Sequence, residues 1–472
     1  MKWLLVTVHV LAACGGDGPV KSVEELMDPN TCMECHAQHF QQWSGSMHAY
    51  ASDDPVFVAM NKRGQKDTQN KLGDFCLRCH APMAVALGTV KGETYDPSQL
   101  DATTRGVTCY FCHNVASIAD SHNNGLQLAV DQTMRGGAQN PSTNDAHRSK
   151  YDSLMDSDVN NSEMCGSCHD IVVPTEINNV PNGVAVERTL AEWQGTFFAT
   201  EAGAQFHFTW GSCHMISKTD VIADAPGLNV KSRANGFHEH AWPAIDQALT
   251  AFPETANQAT LIARDLDPAV RVIGPFNSIT KKQFGGICLD PPGRLKIRID
   301  SIGTGHAWPS GASQDRRAWL EVIAKDIDGN VVFSKGVTPV DSDPVDTVGL
   351  INVDTFGLWD RIKKADSTPA HFFWEIATVQ SQLLKIPAVR GEDHSYTAEW
   401  DVPNSNLVTH IETRLLIRPI AFEVLDDLVA GGELAADAVA QMKTLEVAGG
   451  HSVWDIATKG TGNAMNTNCN PN

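Results

Sequence analysis

The chain has 472 residues, with 36 basic and 56 acidic side chains, a formal charge of −20, and 12 cysteines. Such a length holds two or three domains, and the acidic excess disfavours nucleic acid and anionic membranes while favouring cationic partners or small molecules. After the leader no run approaches the 18 or so apolar residues that a membrane-spanning helix needs.

The first residues, "MKWLLVTVHVLAAC", carry one lysine, a short apolar run containing His9, and then Leu11-Ala12-Ala13-Cys14. The segment is too short to span a membrane and resembles a secretory signal ending in a bacterial lipobox. That resemblance makes 1–14 a lipoprotein signal peptide, Cys14 the acylated mature N-terminus and 15–30 a tether. An ordinary signal peptide with an incidental cysteine is the alternative. Either way the chain is exported. Gly15 after Cys14 points to the outer membrane, so a periplasmic or outer-membrane lipoprotein is expected, touching the membrane through lipid alone.

From about 31 to 265 regular structure is sparse. A helix is expected over "HAQHFQQWSGSMHAY" (36–50) and another over "ERTLAEWQGTFFA" (187–199), where Leu190, Trp193 and Phe197 share a face. "SHNNGLQ" and "GGAQNPSTNDAH" read as loops. The same stretch contains "CMECH" (32–36), "CLRCH" (76–80), "CYFCH" (109–113) and "CGSCH" (165–169). Two thiols three positions apart add to the two vinyl groups of one haem, and the following histidine supplies an imidazole to its iron. Random order would give on the order of 0.01 such matches in this composition. Structural zinc joins paired knuckles over roughly 15–20 residues and gives no reason for a histidine after every pair; here the gaps are 40, 29 and 52 residues. A thioredoxin-like dithiol needs one pair, not four. The motifs therefore predict a multihaem c-type cytochrome. Cys32, Cys35, Cys76, Cys79, Cys109, Cys112, Cys165 and Cys168 hold four haems, with His36, His80, His113 and His169 as proximal ligands.

A fifth stretch, "WGSCH" (210–214), has Trp210 where the first thiol belongs. Three outcomes stay open for it: a haem on one thioether from Cys213, an empty vestigial site, or His214 serving as distal ligand to another haem. The bulk of Trp210 favours the empty site, and four haems are expected.

From about 270 to 447 the pattern changes to period two. "RLKIRIDSI" (294–302), "AWLEVIAKDIDGNVVFSKG" (318–336, two strands about Asp-Gly-Asn) and "THIETRLLIRP" (409–419) read as strands of a β-sandwich-like domain. A helix is expected over "GELAADAVAQMKTLEV" (432–447), and 448–472 as a tail. The fold class is thus mixed: a loop-rich helical haem domain followed by a β-sandwich-like one. Cys288 and Cys469 are a plausible disulfide pair in an exported chain, with Cys213 as a competitor.

Four stretches, "TCMECHAQHFQQWSGSMHAYASDDPVF", "GVTCYFCHNV", "SEMCGSCHD" and "EWQGTFFA…GSCHM", resemble the multihaem cytochromes grouped around the tetrahaem partner of hydroxylamine oxidoreductase. "IGTGHAWPSG…DRRAWLEVIAKDIDGNVVFSKG" and "AHFFWEIA" are similar to the C-terminal domain of lipid-anchored members. The resemblance implies that His48, in the family's W-x-x-S-x-H-A stretch, serves a neighbouring haem. His147, His240 and His306 are the next distal candidates, His306 also being suited to brace its turn. His39, His122 and His238 read as surface or supporting imidazoles, and His371, His394, His410 and His451 as structural. Met47 and Met83 read as packing.

The leading functional expectation is electron transfer between redox proteins of the periplasm or outer membrane, other multihaem cytochromes among them, rather than catalysis. The first alternative is an oxidoreductase with one open haem acting on nitrite, hydroxylamine or a sulfur oxyanion. The second is a docking or filament-forming subunit of a larger cytochrome assembly.

Overall fold

The computed structural model describes residues 20–141, 146–157, 161–204, 206, 208–224, 230, 232–272, 276–277, 282–283, 286–290, 293–301, 303–339, 342–344, 355–386 and 395–457. Cys14, His394 and Cys469 lie outside them. Among the described residues no helix is long and apolar enough to cross a membrane.

Up to residue 266 the backbone folds into short helices and two-stranded pairs, and several of the helices are started by side-chain caps. Ser22 Oγ accepts the Glu25 N–H at 3.2 Å and Glu25 Oε2 accepts the Ser22 N–H at 2.7 Å, a capping box that opens helix Val23–Met27. This stretch, expected as tether, is instead fixed to the body, because Leu26 and Met27 bury against Met83, Tyr110 and Phe111. Asp54, with Pro55 behind it, starts the 13-residue helix Pro55–Asp67 by accepting the Val56 and Phe57 N–H groups.

The helix expected over 36–50 is broken into Ala37–Ser44 and Met47–Tyr50. Ser46 caps the second piece, and a Cβ on Gly45 would fall 2.5 Å from the Glu254 side chain, so the chain turns where another segment approaches. The helix expected over 187–199 becomes Thr189–Gln194 and a 3-10 turn, Phe197–Ala199. "SHNNGLQ" is not a free loop. Val115–Asp120 and Gly125–Leu128 pair antiparallel around it, with Asn123 and Asn124 both in the left-handed region that such a turn requires.

Beyond 270 the described residues form two larger antiparallel sheets, besides the two-stranded pairs Phe276–Asn277 with Lys282–Gln283 and Asp360–Lys363 with Thr378–Ser381. One is built on Ile287–Asp290, Arg294–Asp300 and Ser395–Asp401, with Arg271–Val272 also paired to Arg294–Asp300. The other runs Val331–Lys335, Arg317–Lys325, His410–Arg418, Leu445–Asp455, with Gly357–Leu358 also paired to Arg317–Lys325. Alternate residues of both, such as Leu295, Ile297, Leu320, Val322, Leu415 and Ile417, share one buried core. The expected helix at 432–447 is reduced to Ala436–Val439, and residues 445–455, divided in sequence between helix and tail, form the last strand. Val447 and Trp454 enter the core there, because pairing with His410–Arg418 outweighs the helical preference of the preceding alanine-rich run.

Burial does not follow the change in pattern near 265–270. Ile245, Ile262 and Leu266 join the two-sheet core. A second core packs Val56, Ala59, Leu72 and Val186 against Phe372, Trp374, Val424 and Leu425. Polar contacts add to this: Ser310 Oγ donates to Glu192 Oε2 at 2.6 Å and meets Thr189 Oγ1 at 2.7 Å.

Burial pushes the Glu192 carboxyl from its ordinary 4.5 up to about 7. Between those values the folded chain keeps a proton that the unfolded chain has lost. Stability therefore falls as pH rises through this window and levels off above it. Glu192→Gln should flatten the pH dependence of the melting temperature between about pH 4.5 and 7, an effect of at most roughly 3 kcal/mol. Identical profiles for variant and wild type would remove the assignment.

Candidate haem-binding cavity

A cavity of about 2720 Å³ runs through the molecule, lined by cysteine and histidine side chains of all four complete motifs and by Cys213 and His214. Single small-molecule sites span about 300–1,000 Å³, so this space suits several large groups side by side. Each motif lies on about one helical turn. In "CMECH" the His36 N–H donates to Cys32 O at 2.8 Å, and in "CLRCH" His80 does the same to Cys76 O at 3.2 Å. A helical turn brings the first thiol, the second and the imidazole to one side.

Sequence cannot show what faces those imidazoles. In the fold His36 lies opposite His147, with ring centres 6.0 Å apart; His169 opposite His48 at 6.2 Å; and His113 opposite His240 at 6.2 Å. His214 and His306 form a fourth pair at 6.4 Å, their planes 13° apart. Two metal–imidazole bonds of about 2 Å, plus about 1 Å from each nitrogen to its ring centre, require roughly 6 Å. All four distal candidates thus face a histidine of a motif. His80 differs. Its ring partner is Phe57, stacked parallel at 4.0 Å, and among the described residues no imidazole pairs with it.

The hydrogen bonds select the tautomer. Nδ1 of His36 meets Ile222 O at 2.6 Å, that of His80 Ala51 O at 3.1 Å, that of His113 Arg135 O at 2.5 Å, that of His240 His238 O at 2.8 Å, and that of His306 Ala307 O at 2.7 Å. A carbonyl only accepts, so each Nδ1 carries the proton and each Nε2 lone pair is left for a metal. Burial, with neighbouring imidazoles adding to it, pushes His48 and His240 down to about 3 and His169 down to about 4. His306 also falls to about 4, mainly through burial. Neutral imidazoles are what ligation needs.

The motifs adjoin in a definite order. Cys32 and Cys109 are hydrogen-bonded, as are Cys79 and Cys168, which raises the Cys109 and Cys168 thiols well above their ordinary range. The charge of Cys165 acts on Cys112. The first motif therefore neighbours the third, the third the fourth, and the fourth the second. Arg316 lines the cavity and carries a buried Nη1 without a hydrogen-bond partner, as does the buried Trp210 Nε1. A haem, with two propionates to be neutralised, fits donors left this way.

The remaining histidines divide as follows. His39 is stacked on Phe237 at 4.1 Å and held edge-on to His240 at 4.7 Å, and burial pushes it down to about 2. His122 pairs with Asp120 on the hairpin at 2.6 Å, and His238 Nδ1 meets Met215 O at 3.2 Å. His371, His410 and His451 are engaged with Asp427, Asp455 and Glu446 respectively. Sequence reasoning missed Arg316, Phe57 and Trp242, whose indole meets His48 at 4.7 Å and His240 at 5.0 Å. A signal for two ligands was nevertheless present: "HAWP" occurs at 240–243 and again at 306–309.

Cys35 and Cys288 are each held in a disulfide, and the other eight described cysteines are free. A thiol in a disulfide cannot add to a vinyl group, so attachment at "CMECH" requires Cys35 in its reduced form. Cys469, the expected partner of Cys288, falls outside the described residues.

Motifs, ligand-ready imidazoles and a shared cavity define a multihaem c-type cytochrome. Residues 31–114 match the family described as cytochrome c554 and c-prime. The fold is similar to that of a penta-heme cytochrome c552 from Thermochromatium tepidum, with a TM-score of 0.59 at 16% identity over 92% of this chain and 99% of that one. No curated protein matches the chain significantly.

Proposed function

We propose that the protein is an exported electron carrier in which four covalent haems, on the complete motifs, pass electrons between redox partners. The observation that carries this is the pairing of imidazoles. His36 with His147, His113 with His240 and His169 with His48 would each close one iron on both sides. Closed coordination changes little with oxidation state and suits transfer rather than substrate binding. The order of the motifs supplies a continuous route. Cys14 is proposed as the lipid anchor, and periplasmic or outer-membrane redox proteins, including other multihaem cytochromes, as partners. The acidic surface favours cationic ones.

One observation favours a second reading. An iron held by His80, whose ring neighbour is Phe57 and not an imidazole, would keep a coordination position for nitrite, hydroxylamine or a sulfur oxyanion. Electron paramagnetic resonance of the oxidised protein tests both. Low-spin signals are expected for the haems at His36, His113 and His169. A stoichiometric high-spin signal that shifts on adding nitrite, hydroxylamine or sulfite transfers the function to an enzyme. No response to any of the three leaves the carrier.

A further inference from the structure

We infer that the Trp210–His214 turn holds a fifth haem through a single thioether at Cys213, with His214 and His306 as its two axial imidazoles. The inference rests on the haem reading of the other motifs but not on their number. The turn is built like a complete motif. Helix Trp210–His214 is capped by Thr209, whose Oγ1 accepts the Ser212 N–H at 3.2 Å, just as Thr108 Oγ1 accepts the Phe111 N–H at 3.3 Å before Cys109–His113. It is pinned beside the fourth motif. The Trp210 N–H donates to Ser162 Oγ at 3.1 Å and the Gly211 N–H to Asn161 Oδ1 at 3.0 Å; a Cβ on Gly211 would fall 2.0 Å from Asn161 Nδ2.

A vestigial site should have collapsed or been filled. Neither has happened. His214 and His306, both half-buried, face each other at 6.4 Å, close to the 6.0–6.2 Å of the other three pairs. Both line the common cavity, as does the free thiol Cys213. His306 Nδ1 is committed to Ala307 O, which leaves Nε2 for a metal. Trp210 does not occupy the space between them. Its indole lies 5.9 Å from His169, toward the fourth motif, with Nε1 buried and unpartnered beside the cavity.

The covalent step balances without an oxidant or reductant. Cys213 Sγ bonds to one carbon of a vinyl group, the thiol proton goes to the adjacent carbon, and the other vinyl group stays intact. His306 lies beyond the sheet boundary, so this haem would be closed by both parts of the chain.

Intact mass of the full chain matured with haem attachment tests the inference. Five haem increments are expected in the wild type and four in Cys213→Ser. The fifth haem keeps one vinyl group in conjugation, so the reduced pyridine complex should show a component at longer wavelength, absent from the variant. His306→Ala should keep all five increments and turn one haem high-spin. Four increments in both wild type and Cys213→Ser would overturn the inference while leaving the other motifs as read. No increment in either would overturn both.

Discussion

Made without haem attachment, the chain is expected to leave most of 31–265 unfolded. The cavity explains why. With no haem in it, the largely apolar lining of the cavity would face water instead of a packed core, a large cost against roughly 5–15 kcal/mol for a whole domain's stability. The short helices around it supply little to oppose that cost. Most have four to eight residues, below the length at which a helix persists by itself. The two-sheet core has its own apolar interior and should keep more protection. Limited proteolysis and hydrogen exchange, with and without haem, check this. A protease-resistant 31–265 segment in the haem-free chain would refute it.

His48→Ala should leave the number of covalent haems unchanged and convert one to a high-spin, ligand-binding form. His48 is half-buried against His169 and Trp242 and belongs to no attachment motif, so on the proposed haem reading its removal would take away an axial imidazole without touching a thioether. Imidazole added to the variant should restore the low-spin spectrum, which mere loss of packing would not allow. Loss of a haem increment, or an unchanged spectrum, would show that His48 has another role.

The class of this protein was readable in four short stretches, because covalent haem attachment is written in five contiguous residues and a turn of helix suffices to assemble it. The period-two strands were readable for a similar reason: alternation in "RLKIRID" reports a buried face wherever the strand goes. Residues 445–455 were not, since their pairing partner lies at 410–418 and the intervening helices give no local hint. Nor could sequence choose between a tether and a packed segment at 23–30, which depends on Met83, Tyr110 and Phe111 closing over Leu26 and Met27.

What the sequence determined by itself is therefore the set of attachment motifs: which thiols and which imidazole each would offer a haem, since these lie within one turn of each other. What only the tertiary structure decided is which imidazole stands opposite each of them. His48 meets His169, His147 meets His36, and His306 crosses from the sheet region to His214. Those ring-to-ring distances come from packing between segments remote in the chain, and neither composition nor spacing carries information about a contact that two such segments make only once both are folded.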